Sequence, residues 1–341
     1  MRGRGPALLV VGDVVTDVVA RHREPLAPDT DTAAEIELLP GGAGANAACW
    51  AVRSGGIRAR LLAKAGADAA AWHRAELERS GVEPVLRVDP DTPTAVVIAL
   101  VDAAAERTLV TDSGAALRLG PQDWDESLLD GTGHVHLSGY LYFSAPGRDL
   151  AAVVQKAARA RGVPVSVDPA SAGFLRRSGV ARFLDAVAGA ELLLPNAAEA
   201  ALLCGGGRAP AAGPGTDPDT AADPNSAAEP VDVAAELSAL LPGTTVVVTL
   251  GAAGAVAARD GRLVARARSP RVRPVDSTGA GDAFTGGLLA ARLSGADLPA
   301  ALAAGCAAGA AAVAAVGGRP RGRRPRGTPY GPGSGPATDR G

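Results

Sequence analysis

At 341 residues the chain is long enough for one large α/β domain or two small ones, and length alone does not decide between them. Hydrophobic residues make up 47% of it but aromatic residues only 3%, so alanine, valine and leucine must build the core. This composition is typical of a buried parallel sheet covered by helices. The net charge of −2 gives no general attraction to nucleic acid or to anionic membranes, and neither is expected as a partner.

The cysteines and the N-terminus bear on where the protein works. Cys49, Cys204 and Cys306 are odd in number, lie far apart and lack the spacing of a metal site, which is typical of a reduced protein. The apolar run at 7–11 is too short for a signal peptide, and no segment has the character of a membrane span. We therefore expect a cytoplasmic protein with no membrane contact.

The first apolar run also provides a candidate ligand site. Residues 7–11 are predicted to form a buried strand that ends at Gly12, and Asp13 and Asp17 follow it. Ligands of α/β sheets bind at the carboxyl ends of parallel strands. Either carboxylate could instead cap a helix or face solvent, and for Asp13 the two interpretations are equally balanced.

Two later segments predict a second, smaller sheet. Residues 35–39 alternate between polar and apolar, which indicates a half-buried antiparallel strand. Residues 93–101 and 107–110 have the pattern of a β-hairpin. Together with residues 21–39 they would form a small sheet.

After Pro121 the pattern changes to strands that alternate with helices, which is typical of a doubly wound α/β fold. The expected architecture is a mostly parallel sheet flanked by helices. Strands are predicted at 134–137, 163–167, 192–194 and 245–250, and helices at 150–161, 180–187 and 231–241.

The most informative stretch is DSTGAGDAF at 276–284, a glycine-rich turn that runs into a helix. Gly279 and Gly281 allow a ligand to approach the main chain, and the helix N-terminus favours an anion there. Asp282 could be only a helix cap. A carboxylate at the mouth of an anion site is, however, suited to taking a proton from a hydroxyl that attacks a bound phosphate.

This stretch resembles the C-terminal signature of the ribokinase-like (PfkB) carbohydrate kinases. It is not a Walker-type loop, because no Gly-Lys-Ser/Thr follows the glycines. The resemblance implies that Asp282 is the catalytic base and that the amides of Gly279, Ala280 and Gly281 form the anion hole. It also implies that the small sheet is a lid over the sugar site.

Other motifs extend the resemblance over residues 7–318. PGGAGANAA at 40–48 resembles the N-terminal signature of the family, and NAAE at 196–199 resembles its Asn-x-x-Glu motif. The substrate residues implied are Asp17, Gly41, Gly42, Asn46 and Asp282. The ATP residues implied are Asn196, Thr249, Gly251, Gly254, Thr278, Gly279 and Gly281.

The cofactors implied are ATP and Mg²⁺. Glu199 would hold Mg²⁺ through water, since Mg²⁺ keeps most of its hydration; the alternative is that Asn196 and Glu199 are only a capping pair. Asp276 is the candidate for a monovalent cation such as K⁺.

The predicted organisation is a kinase domain at 1–318, with the lid drawn from 21–40 and 94–111. The Gly/Pro-rich segment 205–230 is predicted to be a disordered insertion, and 319–341 a disordered basic tail. The lid sheet is a candidate surface for a homodimer.

The expected function is ATP-dependent phosphorylation of a primary hydroxyl on a small sugar or sugar acid. Ala43 and Ser138-Gly139 replace polar residues that ribokinase-type members carry, so ribose is expected to be a poor substrate. Two alternatives stay open. One is a nucleoside kinase of the same fold, and the other is a non-catalytic sugar or nucleotide sensor.

Overall fold

The computed structural model describes residues 5–104, 107–205 and 230–320. Nearly all of the predicted insertion and basic tail, residues 206–229 and 321–341, lie outside the described residues. The domain limits therefore stay a prediction.

The described strands are β1 (Ala7–Val11), β2 (Val15–His22), β3 (Ala34–Gly41), β4 (Ala59–Gly66), β5 (Glu83–Asp89), β6 (Ala95–Val101), β7 (Arg107–Asp112), β8 (Thr132–Ser138), β9 (Val165–Asp168), β10 (Leu192–Leu193), β11 (Thr245–Thr249), β12 (Ala255–Arg259) and β13 (Arg262–Ala267). The described α-helices are α1 (Ala43–Gly55), α2 (Ala70–Arg79), α3 (Ala145–Ala160), α4 (Ala172–Ser178), α5 (Val180–Val187), α6 (Ala197–Gly205), α7 (Pro230–Leu240), α8 (Ala280–Leu293) and α9 (Leu298–Val313).

The central sheet has nine strands in the order β13-β12-β11-β10-β9-β8-β1-β4-β5. From β5 to β11 every neighbouring pair is parallel, and β12 and β13 add an antiparallel edge. This confirms the predicted doubly wound, mostly parallel sheet. The sequence analysis missed β5 because an edge strand is only partly buried and does not form a continuous apolar run.

Helices cover both faces of this sheet. In β1, Leu9 and Val11 join a hydrophobic cluster with α3, α5, α6 and α7, whereas Leu8 and Val10 join a second cluster with α1, α8 and α9. Successive side chains of a strand point to opposite faces, so a strand that is apolar throughout must be covered twice. The core therefore holds the carboxyl ends of the strands in fixed positions.

The Ala- and Gly-rich helix near the C-terminus is α9, which packs against α8. Small side chains let two helices approach closely: a Cβ on Gly287 of α8 would lie 2.7 Å from the Cβ of Ala308. Within the described ranges no helix has the length and apolar character needed to cross a membrane.

The second sheet has four strands in the order β3-β2-β6-β7 and lies over the cavity described below. This confirms the predicted lid. The sequence analysis started the lid near residue 21, but its first strand begins at Val15. Asp17 interrupts the apolar pattern there and has a low strand propensity, which hid the start of the strand.

The segment at 35–39 was predicted to be a half-buried strand. It forms part of β3, but most of its residues are exposed. Leu39 pairs with Asp17 and faces the cavity. Successive side chains of a strand point to opposite faces, so Ile36 and Leu38 both point away from the cavity. They are 67% and 62% exposed. Alternation predicts two different faces, but only the register decides which one is covered.

Candidate active site

A cavity of about 550 Å³ lies between the carboxyl ends of the central strands and the lid. Its polar groups come from separate parts of the chain, among them Asp13 after β1, Asp17 on the lid, Asn46 on α1, Asp168 at the end of β9, and the turn before α8. This is the position at which open α/β sheets bind ligands.

The glycine-rich turn has the geometry that its sequence predicts. Gly279 is the residue before α8 and has φ 71°, in the left-handed region that favours glycine. A Cβ at this position would lie 2.5 Å from the Cα of Gly318, so no other residue fits without movement. The first amides of α8 have no acceptor within the helix, and they begin at the wall of the cavity.

Asp282 lies in the first turn of α8 and lines the cavity. Its Oδ2 accepts a hydrogen bond from Asn46 Nδ2 at 2.8 Å. Burial raises the pKa of Asp282 to about 7; the Asn46 hydrogen bond opposes this rise, and the nearby Asp13 and Asp17 carboxylates add to it. A carboxylate with a pKa near 7 is well matched to the work of a general base.

Asn46 has a free acceptor at the same place. Its side chain is buried, and its Oδ1 atom has no hydrogen-bond partner within the described residues. A buried carbonyl oxygen without a partner is costly. A substrate hydroxyl held by Asn46 Oδ1 would satisfy this atom and would lie beside Asp282.

Asp13 has the role of a helix cap, one of the two interpretations left open. Its carboxylate accepts hydrogen bonds from the amides of Ala43 and Gly44, at 2.9 and 3.1 Å, and from Ser138 Oγ at 3.0 Å. It thereby holds the start of α1 against the ends of β1 and β8. Ser138 replaces the sugar-binding residue expected at this position in ribokinases. In this protein its hydroxyl binds Asp13 instead.

Asp17 and Gly41 both interact with Arg319, a residue of the predicted tail. Burial raises the pKa of Asp17 to about 6, and the charge of Arg319 opposes the rise. Gly41 does not line the cavity, but any side chain there would collide with the Asp17 carboxylate. The Gly41 carbonyl accepts a hydrogen bond from Arg319 Nη2 at 2.9 Å. Gly41 therefore leaves room for Asp17 and does not itself face the ligand.

The segment after α9 joins the two sides of the site. Asp276 accepts hydrogen bonds from the amide of Thr278 at 2.7 Å and from that of Gly317 at 3.0 Å. Trp50 of α1 donates from Nε1 to the carbonyl of Gly318 at 2.9 Å. Asp276 therefore anchors the turn to this segment, a role the sequence did not reveal.

Asn196 and Glu199 form the reciprocal capping pair that was the alternative to an Mg²⁺ role. The Asn196 amide donates to Glu199 Oε2, and the Glu199 amide donates to Asn196 Oδ1, both at 2.9 Å. Both side chains nevertheless line the cavity. Burial raises the pKa of Glu199, against the effect of the Asn196 hydrogen bonds.

Asp168 is a site residue that the sequence analysis missed. Burial raises its pKa well above the usual value, and the Glu199 and Asp282 carboxylates add to this effect. No lysine or arginine among the described residues forms an ion pair with Asp168 or Glu199. The position of Asp168, directly after a predicted strand, was the signal that could have found it.

Most predicted site residues come together. The cavity lining includes Asp17, Gly42, Asn46, Asn196, Glu199, Thr249, Asp276, Thr278, Gly279, Ala280, Gly281 and Asp282. Gly251 and Gly254 do not line it; they shape the turn after β11, with φ 56° and 104°. The described residues contain no group of three or more side chains that could hold a metal ion by themselves.

The family signature of the pfkB family carbohydrate kinases matches residues 6–321. The chain belongs to this family. An ATP-dependent ribose-1-phosphate kinase from Halopiger xanaduensis is 31% identical over 200 residues. That match covers 58% of this chain and 63% of the relative.

Solved structures show that the fold is ribokinase-like. An adenosine kinase from Sinorhizobium meliloti superimposes with a TM-score of 0.76 at 21% identity, covering 93% of this chain and 96% of that one. A ribokinase from Thermotoga maritima gives 0.73 at 22% identity, covering 92% and 94%. A candidate ribokinase II from E. coli, solved with ATP and Mg²⁺, gives 0.73 at 23% identity, covering 92% and 94%.

Proposed function

We propose that this protein transfers the γ-phosphate of ATP to a primary hydroxyl of a small sugar or a sugar-containing compound. The observation that carries the proposal is the position of Asp282. It lies at the N-terminus of a helix, behind a glycine turn, with a pKa of about 7 and a hydrogen bond to Asn46. An intact base and anion site favour catalysis over a non-catalytic sensor.

The chemical step follows from this geometry. The ionised Asp282 carboxylate takes the proton of the acceptor hydroxyl as its oxygen bonds to the γ-phosphorus. The bond from the γ-phosphorus to the bridging oxygen breaks, and ADP leaves with the electron pair. In this proposal the amides of Gly279, Ala280 and Gly281 stabilise the charge on the transferring phosphoryl group; the Ala280 amide exchanges its 3.3 Å hydrogen bond to the Ser277 carbonyl for one to the phosphate.

Mg²⁺ fits the carboxylates on the nucleotide side. Asp168 and Glu199 have raised pKa values and no basic partner among the described residues, and a divalent cation would relieve their repulsion. One or two carboxylates suffice, because Mg²⁺ keeps several waters and binds the substrate phosphates. When bound, Mg²⁺ neutralises phosphate charge; the E. coli structure contains both ATP and Mg²⁺.

The ATP contacts that we propose are Asn196, Thr249 and Thr278, all of which line the cavity. Gly251 and Gly254 act only through the shape of the turn after β11. Binding of K⁺ beside Asp276 stays a prediction; comparing kcat in K⁺ and in tetramethylammonium buffers would test it.

The lid also supports a homodimer. Val18, Leu38, Ile98 and Val110 pair across all four lid strands on the face away from the cavity, and they form one apolar row. Leu38 and Val110 are 62% and 54% exposed. An exposed apolar sheet face of this kind is typical of an interaction surface, and a second copy of the lid would cover it with matching chemistry.

The test of the proposed reaction is Asp282→Asn, which keeps the shape and any capping role but removes the base. We expect kcat to fall by about 10²–10⁴-fold while ATP and acceptor still bind. Asp297→Asn is the matched control, because Asp297 caps α9 with its side chain far from the cavity. If kcat of Asp282→Asn stays within a few-fold of wild type, Asp282 is not the base.

A further inference from the structure

The charge of the cavity restricts its acceptor. The described lining contains seven carboxylates and no lysine, arginine or histidine. The acidic residues are Asp13, Asp17, Asp112, Asp168, Glu199, Asp276 and Asp282. The anion hole at the α8 N-terminus is already required for the phosphate of ATP. An acceptor that carried an anionic group of its own would therefore be repelled by several carboxylates, and the described lining has no basic side chain to bind it.

Two arginines near the cavity are not part of its described lining. Arg319 lies behind Gly41, donates to its carbonyl and acts on Asp17 only through its charge. Arg21, further along the lid strand, is 3.8 Å from Glu37 and is likewise outside the lining. Neither guanidinium lines the cavity, so neither is a direct partner for a second anion there.

The wall beside Asp17 is apolar. Asp17 pairs with Leu39 on one side and with Val97 on the other, and all three line the cavity. The next residues on the same face, Val19 and Ala99, are apolar too. A free sugar carries a hydroxyl on most of its carbons, and any hydroxyl directed at this wall would lose its hydrogen bonds. The wall suits an apolar surface on the acceptor.

Polar side chains border this wall on the side of β7. A pair of aromatic rings lines another part of the same cavity. Thr111 pairs with Val97 at the start of this border, and Ser113 follows it in the lining. Tyr140 and Phe174 also line the cavity, with their rings 5.8 Å apart. An acceptor with an apolar face and a polar edge would satisfy both kinds of group. The heteroaromatic bases have this character.

We propose that the acceptor is an uncharged nucleoside, whose ribose lies at Asp17 and Asn46 and whose base packs against the apolar lid wall. The proposal rests on the proposed kinase reaction and names its substrate class. It excludes sugar phosphates and sugar acids as preferred acceptors. It therefore distinguishes this chain from the relative named as a ribose-1-phosphate kinase.

The first experiment ranks acceptors by kcat/KM. ADP release by the wild-type protein is measured at saturating MgATP with ribose, fructose, 2-keto-3-deoxygluconate, ribose 1-phosphate, adenosine, inosine, cytidine and uridine. We expect at least one nucleoside to exceed ribose by about 100-fold or more, because a single methylene in an apolar pocket is already worth about 10–200-fold. Ribose 1-phosphate should lie about tenfold or more below ribose, owing to like-charge repulsion.

The second experiment tests the wall itself. Val97→Thr keeps the shape but places a hydroxyl against the base, and we expect the nucleoside-to-ribose ratio of kcat/KM to fall by about tenfold. Val96→Thr is the matched control: Val96 pairs with Thr16 on β2, does not line the cavity, and should leave the ratio within twofold.

A ranking with ribose 1-phosphate, a sugar acid or a free sugar first would overturn the nucleoside proposal and leave the kinase proposal intact. An equal fall of the ratio in Val97→Thr and Val96→Thr would also overturn it. If no acceptor of the panel raises ADP release above the acceptor-free rate, and Asp282→Asn does not change that rate, both proposals fail.

Discussion

The central sheet and the lid are built from similar apolar strands, but they are buried in different ways. Every residue of β1 is fully buried, whereas β3 of the lid exposes Ile36 and Leu38. The central sheet is fixed by helices on both faces. One face of the lid lines the cavity. Among the described residues, no helix or sheet packs against its other face. This difference in burial leads us to expect separate tasks for the two sheets.

The groups that we assign to the phosphoryl transfer belong to the central sheet and its helices. Asp282 is on α8, Asp168 ends β9 and Glu199 is on α6. The groups that we propose to distinguish acceptors lie largely on the lid, such as Asp17 and Val97. A change near the central sheet should therefore affect every substrate, whereas a change in the lid should affect some substrates more than others.

After loss of the base, the largest effect on activity is expected for Gly279→Ala. Gly279 directly precedes α8, a helix that packs against the central sheet. Its positive φ and the contact of a Cβ with Gly318 would displace the turn that we propose to hold the phosphate. A misplacement of about 1 Å can cost about 100-fold, and we expect this loss in kcat/KM for every acceptor. Initial rates at varied ATP measure it.

The control for this variant is Gly295→Ala. Gly295 also has a positive φ, 89°, but a Cβ there would meet nothing within 4 Å. It should lose some stability and keep its activity. Equal activity losses in the two variants would show that general backbone strain, and not displacement of the turn, causes the effect.

The second prediction concerns pH. The base acts in its ionised form, and burial raises the pKa of Asp282 to about 7. We therefore expect kcat to fall by about tenfold per pH unit below about pH 7 and to level off above it. A rate profile measured from pH 5 to 9 on saturating substrates tests this. A flat profile down to pH 5 would show that the group titrates lower or is not the base.

The same pKa has the opposite consequence for stability. The unfolded chain loses this proton near the usual value of 3.8, whereas the folded protein holds it up to about pH 7. The contribution of Asp282 to stability is therefore greatest at low pH and is lost as the pH rises towards 7. Asp282→Asn removes this loss, so its melting temperature should exceed that of wild type at pH 8 but not at pH 4.

A smaller effect is expected on the exposed face of the lid. Leu38→Glu adds a charge to the apolar row defined above, and we expect it to shift a dimer towards the monomer, seen by sedimentation velocity. Because the change lies on the far side of the cavity, kcat should change by no more than a few-fold. Leu263→Glu, on the edge strand of the central sheet, is the control. Equal oligomeric states in wild type and Leu38→Glu would rule out this interface.

The smallest effect is expected for deletion of residues 206–229, which are not among the described residues. Their Gly/Pro-rich sequence carries little that could be buried. The melting temperature and the activity should therefore stay close to those of wild type, measured by calorimetry and ADP release. A chain that no longer folds would show that the segment packs against the domain.

The sequence by itself predicted the fold class, which the structure confirms, and two residues of the proposed reaction centre, Asp282 and Asn46. Apolar runs predict strands because a sheet covered on both faces must be apolar throughout. The pattern at 276–284 predicts a turn and a helix because glycine allows the φ observed at Gly279. Asp282 and Asn46 were predicted from two separate local motifs, at 276–284 and at 40–48, that resemble the family signatures.

Only the tertiary structure decided what these residues contact. Asn46 and Asp282 are 236 positions apart, and Ser138 and Asp13 are 125 apart, so neither hydrogen bond has a local signal. The contact of Arg319 with Gly41 likewise joins a predicted tail to the substrate side. A pKa near 7 for Asp282 arises from burial and from carboxylates of distant segments. A local sequence pattern determines backbone conformation, because that depends on neighbouring residues. The burial of a side chain and the charges around it depend on how distant segments pack together.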